Sequence, residues 1–241
     1  VWALGGGLVE FLAITVIGAL SWAVILALAP VRVQLDVDRG AFVRRVGSAM
    51  VASGASAALI TGFPAVINAA FPGAPVAAVI NAVILTRAPV LVPLQRFQSA
   101  LVVRFVEHRD RIYTALAMPI GAVLGLGAVG FVAAWAVGPL ILRVAFSPEY
   151  AMGGVPLGVL TFASAFMGAL MITGVAVLAL ERHGWYVAGW LTATAVAFGI
   201  LFAAPVGAEG GGTVASISIA LFAGPLAGAL VHVAGLRRAL R

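Results

Sequence analysis

Two chemically versatile residue types are absent from this sequence, which contains no cysteine and no lysine. Without cysteine the chain has no disulfide, no thiol nucleophile and no thiolate-ligated metal. Without lysine it cannot form a Schiff base, which excludes a retinal protein. The three histidines, His108, His183 and His232, are scattered and lack the spacing of metal ligands, so we expect neither a metal nor a cofactor.

Charge is also scarce, since only 9% of the residues are charged and 63% are hydrophobic. Soluble domains carry about 25% charged residues. A helix that crosses the hydrocarbon core of a bilayer needs about 20 apolar residues. Apolar runs of suitable length occupy residues 7–30, 46–71, 75–94, 115–142, 154–180, 185–205 and 213–236. The predicted fold class is therefore an all-α polytopic membrane protein with about seven transmembrane helices.

The arginines are distributed unevenly among the breaks between these runs. Twelve of the fourteen lie in alternate breaks, at 31–45, 95–112 and 181–184 and in the C-terminal tail. Because basic residues accumulate in cytoplasmic loops, these breaks and the C-terminus are predicted to be cytoplasmic. The lysine-free composition, rich in alanine, glycine and valine, indicates a GC-rich bacterial genome. We therefore predict a location in the bacterial cytoplasmic membrane, contact with membrane lipids and no nucleic-acid partner.

Two of the cytoplasmic breaks have a local pattern. Phe97, Leu101 and Phe105 repeat every four residues within 95–112, which predicts an amphipathic helix at the membrane surface or a cytoplasmic extension of the third span. Apolar and polar residues alternate over 31–38, and we interpret this break as an extended interfacial linker. His232 lies near the cytoplasmic end of the last run and is expected at the interface.

Glycine and proline inside the runs predict how the helices pack and bend. The pairs Gly121/Gly125 and Gly224/Gly228 have the small-xxx-small spacing that lets membrane helices approach closely. A proline in a helix removes one backbone hydrogen bond and can bend it. Prolines occur inside the runs at Pro64, Pro89, Pro93, Pro119, Pro139 and Pro225. So many prolines are typical of a protein that bends, as transporters do.

Arg87 is the residue that departs most from its surroundings, because it lies in the middle of the third apolar run. An arginine at the centre of a membrane helix costs about 2.5–3.5 kcal/mol on insertion scales, and such residues usually face a water-filled cavity or a partner. Arginine binds phosphate through two parallel N–H groups. We therefore interpret Arg87 as a cavity residue that binds an anionic ligand, a phosphate or pyrophosphate. The alternative places it at an interface.

Four further polar residues are candidates for the same site. Asn81, Gln95 and Asn68 are predicted to contribute to substrate binding, although each could instead form a hydrogen bond within the helix bundle. Glu10, near the start of the first run, is a candidate for ion coupling, with placement at the membrane interface as the alternative.

Catalysis is not expected from this sequence. The predicted extracytoplasmic breaks are short, and an intramembrane serine protease would need a serine and a histidine that meet. Ser53 and Ser56 lie in one run and His232 in another, without any supporting motif. We predict that the protein is not an enzyme.

Several segments resemble the multidrug/oligosaccharidyl-lipid/polysaccharide flippase superfamily, and its polysaccharide (O-antigen-type) transporter branch in actinobacteria in particular. These segments are Thr86-Arg87-Ala88-Pro89 with VLVPLQRFQSALVVRFV, then LILRVAFSPEY, then VLALERHGWYVAGW. The resemblance covers most of 46–241 through loose patterns of apolar segments. It implies a protein of two lobes of about six helices each, arranged around a central cavity.

In that arrangement residues 1–30 hold the last helix of the first lobe, 31–45 the cytoplasmic linker between lobes, and 46–241 the second six-helix lobe. The resemblance implies that a missing N-terminal lobe of the same protein is a partner. The implied function is to move undecaprenyl-pyrophosphate-linked oligosaccharide across the cytoplasmic membrane by alternating access. Two alternatives stay open, a multidrug or small-molecule exporter of the same superfamily and a non-transporting scaffold of an envelope-synthesis complex.

Overall fold

The regular structure is helical throughout the part of the chain that this computed structural model describes, residues 8–28, 38–72, 76–146, 148–204 and 211–239. Its α-helices are α1 Leu8–Leu28, α2 Arg39–Ile60, α3 Phe63–Ala70, α4 Ala77–Arg96, α5 Gln98–Glu107, α6 Ile112–Ala145, α7 Gly154–Ala179, α8 His183–Ala203 and α9 Gly211–Ala239. Short 3₁₀ turns lie at Arg109–Arg111 and Pro148–Tyr150. The linker predicted at 31–38 lies almost wholly outside the described residues.

The chain divides into two compact units, Val1–Val43 and Arg44–Arg241. The first contains α1, a helix of 21 residues that coincides with the first predicted span. The second contains most of α2 and all later helices. The assignment of these parts to two lobes of a transporter stays a prediction.

Among the described residues, five helices, α4 and α6 to α9, are long and apolar enough to cross a membrane, and the number is six if the bent pair of α2 and α3 is one span. The chain is thus a multi-pass helical membrane protein, while the count of seven stays a prediction. The span predicted at 46–71 is bent, because α2 and α3 meet at an angle of 60°. The cause is Pro64, which has no N–H to donate to the carbonyl of Ile60 four residues earlier.

Helix α7 forms the centre of the second unit. It packs against α6, α9, α4 and α5, and α8 packs chiefly against α9. In the most apolar stretch of 18 residues of α7, 67% of the residues are buried, which is the largest share among the candidate spans. The burial of α7 on all sides explains why its sequence is apolar around the whole helix, without a polar face.

The two predicted glycine pairs have different outcomes. At Gly228 a methyl group would lie 2.5 Å from the carbonyl oxygen of Gly189 and 2.7 Å from the Cβ of Ala193, so this pair does bring α9 close to α8. At Gly121 and Gly125 a methyl group would meet nothing within 4 Å among the described residues, so no described helix packs closely at that pair.

Most prolines do not interrupt the helices that contain them. Pro89 and Pro93 lie within the continuous helix α4, and Pro119 lies within α6, which extends over 34 residues. The predicted amphipathic helix is confirmed as α5, with Phe105 fully buried and Leu101 half-buried, while its place at the membrane surface stays a prediction. Phe97, expected on the same face, lies at the junction of α4 and α5 and is 63% exposed.

Candidate functional site

Arg87 lies inside the packed helices, with only 5% of its surface exposed. It occupies the middle of α4, between two residues that are buried beside it on the same helix, Val83 and Val90. Its neighbour Thr86 donates its hydroxyl hydrogen to the carbonyl oxygen of Ala82 at 2.8 Å, within the same helix. The only charge in this stretch of α4 is therefore surrounded by protein.

The guanidinium of Arg87 binds the carboxyl end of α2. Its Nη1 donates to the carbonyl oxygen of Ile60 at 3.0 Å and to that of Leu59 at 3.3 Å. Because α2 ends at Ile60 and the chain turns away, these carbonyls lack the amide partners that a continuing helix would supply. The carboxyl end of a helix also carries a partial negative charge, which favours a cation there.

An aromatic ring and an unpaired nitrogen complete the surroundings of Arg87. The guanidinium carbon lies 4.8 Å from the ring centroid of Phe63, the first residue of α3, in a cation–π contact. The Nη2 nitrogen is buried and has no hydrogen-bond partner among the described residues. The site therefore holds one charged nitrogen whose hydrogen-bonding capacity is unused.

The other predicted binding residues do not gather around Arg87. Asn81 lies six residues earlier on α4, about 9 Å along the helix. Its buried Nδ2 has no partner among the described residues, and it lines an open cavity of about 560 Å³ at the end of α6, with Phe146 and Tyr150. Gln95 and Asn68 are exposed. Glu10 lies in the first turn of α1, and its side chain is outside the described residues.

His232 has a position that the sequence did not predict. Its predicted depth at the membrane interface stays a prediction, but its side chain is fully buried among α7, α8 and α9. Its Nδ1 lies 3.1 Å from Thr173 Oγ1, and its Nε2 lies 3.2 Å from the carbonyl oxygen of Tyr186. Since a carbonyl only accepts, Nε2 carries the proton and Nδ1 is left as an acceptor for the Thr173 hydroxyl. That hydroxyl has one hydrogen and also lies 3.0 Å from the carbonyl oxygens of Ala169 and Leu170, so these three acceptors share it.

The space for the imidazole of His232 comes from glycine. A methyl group on Gly189 would collide with the ring, and one on Gly174 would lie 3.2 Å from its Cε1. The ring also stacks on Tyr186, with centroids 6.0 Å apart and planes inclined by 6°.

The partners of His232 are 59 and 46 residues away in sequence. No local pattern could have indicated them, although the pair Gly224/Gly228 predicted that another helix approaches α9 closely.

The comparisons relate the chain to mycobacterial proteins. The uncharacterized protein Rv1510 of Mycobacterium tuberculosis is 40% identical over 242 residues, which cover 98% of this chain and 55% of that protein. The uncharacterized proteins Rv3630 of M. tuberculosis and Mb3654 of Mycobacterium bovis are 38% identical over the same shares. The chain spans about half the length of the curated relatives that it matches. No protein-family model matches the chain, and no solved structure matches it.

Proposed function

We propose that the chain is part of a flippase that moves lipid-linked oligosaccharide, carried on an anionic polyprenyl pyrophosphate, across the bacterial cytoplasmic membrane. The proposal follows from the resemblance of 46–241 to the flippase superfamily. It belongs to the whole protein, because a single lobe does not enclose a central cavity. In this proposal Arg87 binds the pyrophosphate during alternating access.

The observation that carries the proposal is the free nitrogen of Arg87. Two carbonyls and a ring hold the guanidinium in place, while Nη2 keeps its N–H groups unpaired among the described residues. A buried cation with spare donors suits an anionic oxygen. The broken pair α2 and α3 beside it supports the same proposal, because transporters commonly use interrupted helices at their substrate sites.

One observation favours a different function. The bonds from Arg87 to the carbonyls of Leu59 and Ile60 stabilise the end of α2 whether or not a ligand binds. Arg87 would then be structural, as expected of a non-transporting scaffold. A multidrug exporter of cations has less support, because acidic side chains inside the apolar runs are limited to Glu10.

The test uses the whole gene in a strain without its own copy, with surface polysaccharide as the readout and membrane abundance measured alongside. Arg87→Lys keeps the charge, whereas Arg87→Gln keeps only a donor for the carbonyl of Ile60. We expect Lys to retain part of the export and Gln to abolish it at normal abundance. The matched control is Arg143→Gln, an exposed arginine of α6, which should export normally.

The opposite pattern identifies a structural residue. If Gln and Lys restore export equally, or if export falls only in proportion to abundance, the capping of α2 explains Arg87 and its role in binding a pyrophosphate is wrong.

A further inference from the structure

An apolar groove of about 470 Å³ lies on the second unit, away from Arg87. Four helices form its walls, α4, α5, α6 and α7. Among the lining residues are Val90, Leu94, Leu101, Met118, Ala122 and Ile172. The small side chain of Ala122 and that of Ala100 leave this space open between α5 and α6.

One charged residue lies in the wall of this groove. Arg104 of α5 is half-buried, and its Nε donates to the carbonyl oxygen of Ala115 in the first turn of α6 at 3.1 Å. This bond fixes the guanidinium at the end of the groove that is predicted to be cytoplasmic. The two Nη nitrogens make no further hydrogen bond or ion pair within the described residues.

The stretch of chain around Arg104 is rich in arginine, which favours an anionic ligand. Arg96, Arg109 and Arg111 are exposed on the same short stretch of chain. The acidic residues of the stretch, Glu107 and Asp110, are exposed too, and neither pairs with Arg104. This stretch of chain therefore carries four arginines and two carboxylates, and the arginine that lines the groove itself is Arg104.

The length of the groove limits how long a bound molecule can be. It follows α6 from Arg104, which binds at Ala115, to Leu126. At 1.5 Å per residue this distance is about 16 Å, which is roughly half of the ~30 Å hydrocarbon core of a bilayer. A groove that spans one leaflet fits one acyl chain of a phospholipid, whereas a polyprenyl chain longer than a leaflet would extend beyond it.

We propose that this groove binds an anionic phospholipid of the cytoplasmic leaflet, with one acyl chain between α5 and α6 and the phosphate on Arg104. The guanidinium is already oriented by its bond to Ala115, so its two Nη groups are free to bind phosphate oxygens as a pair. The proposal is independent of the transport function, because it uses neither Arg87 nor any other predicted substrate-binding residue.

The test measures lipid retention by the purified protein in detergent, using native mass spectrometry with phosphatidylglycerol and phosphatidylcholine of identical chains. We expect the wild type to retain phosphatidylglycerol about fivefold better, the effect of one basic residue at an anionic surface. Arg104→Gln keeps a donor for Ala115 and should lose this preference, whereas Arg104→Lys should keep it. The control Arg182→Gln, on the same predicted side of the membrane, should behave as wild type.

The apolar part of the groove is tested by filling it. Ala122→Phe should reduce retention of both lipids several-fold, while Ala128→Phe, at an exposed alanine of α6 outside the groove, should not. Ala100→Leu replaces Ala122→Phe if that variant does not fold. Unchanged lipid selectivity in Arg104→Gln, or unchanged retention in the filled variants, overturns the proposal. Displacement of phosphatidylglycerol by an equal amount of a polyprenyl phosphate overturns the assignment to a phospholipid.

Discussion

The guanidinium of Arg87 lies at the break between α2 and α3. The break supplies acceptors for the buried arginine, and the arginine supplies donors for the carbonyls that the break exposes. The interruption at Pro64 frees the carbonyls of Leu59 and Ile60 inside the protein, where an unpaired carbonyl is costly. An arginine in an apolar helix is costly as well. Bringing the two together reduces both costs, so the proline in α3 and the arginine in α4 form one structural unit.

At the same scale, His232 joins three helices and should contribute to stability. His232→Leu removes the hydrogen bonds to Thr173 and Tyr186, and we expect the free energy of unfolding to fall by about 1 kcal/mol, a usual value for polar contacts between membrane helices. His232→Gln places an N–H near Nε2 and should restore part of the loss.

The measurement is thermal or denaturant unfolding of the purified protein in detergent micelles. His183→Leu serves as the control, because His183 is exposed at the start of α8 and should have little effect. Equal stability of the His232 and His183 variants would show that the buried hydrogen bonds add nothing.

At the scale of elements, the contact between α8 and α9 depends on glycine. A methyl group at Gly228 would meet the main chain of Gly189 and the side chain of Ala193, and the main chain cannot move aside without separating the helices. We expect Gly228→Ala to lower the free energy of unfolding by about 1–3 kcal/mol, as overpacking does.

Gly125→Ala provides the matched comparison, since a methyl group there meets nothing within 4 Å and alanine favours the helix. It should leave stability unchanged or raise it slightly in the same unfolding assay. If both variants lose stability equally, glycine acts through the flexibility of the chain and close packing is not its role.

The elements also mark the limit of what the sequence predicts. Apolar runs identified α4 and α6 to α9, because length and hydropathy are local properties. The period of four in 95–112 identified α5 for the same reason. Pro64 was predicted to be able to bend its helix, and it does, but the same prediction was made for Pro89 and Pro119, which leave their helices continuous. Whether a proline breaks a helix depends on what replaces the lost bond, and at Ile60 that partner lies on another helix.

The candidate site was predicted in part. Arg87 stood out because a charge in an apolar run is unusual, and its burial agrees with that signal. The partners of Arg87 are main-chain carbonyls, which every residue has, so no sequence pattern could name them. Asn68 and Gln95 were chosen for their polarity alone and are exposed. Polarity shows which side chains can bind, while the fold decides which ones meet.

At the scale of the whole molecule, the uneven distribution of arginine predicts the orientation in the membrane. Ala151 and Arg182 lie just outside the two ends of α7, and both are exposed. We expect a membrane-impermeant maleimide to label Ala151→Cys in intact cells and Arg182→Cys only after permeabilisation, because arginine-rich breaks stay cytoplasmic.

The chain has no cysteine of its own, so only the introduced cysteine can react with the maleimide. The unmodified sequence serves as the unlabelled control. The opposite labelling pattern contradicts the assigned orientation. It would also move the groove at Arg104 to the outer leaflet.

The contact between Arg87 and α2 has a consequence for biogenesis. Ribosomal synthesis delivers α2 and α3 before α4, so Leu59 and Ile60 are made before Arg87 emerges. When Arg87 passes from the translocon into the bilayer, its carbonyl acceptors are therefore already present, and the guanidinium need not be exposed to lipid. A circular permutant with α4 ahead of α2 would release the charge before its acceptors exist. The order of helices along the chain therefore helps a charged segment to enter the bilayer.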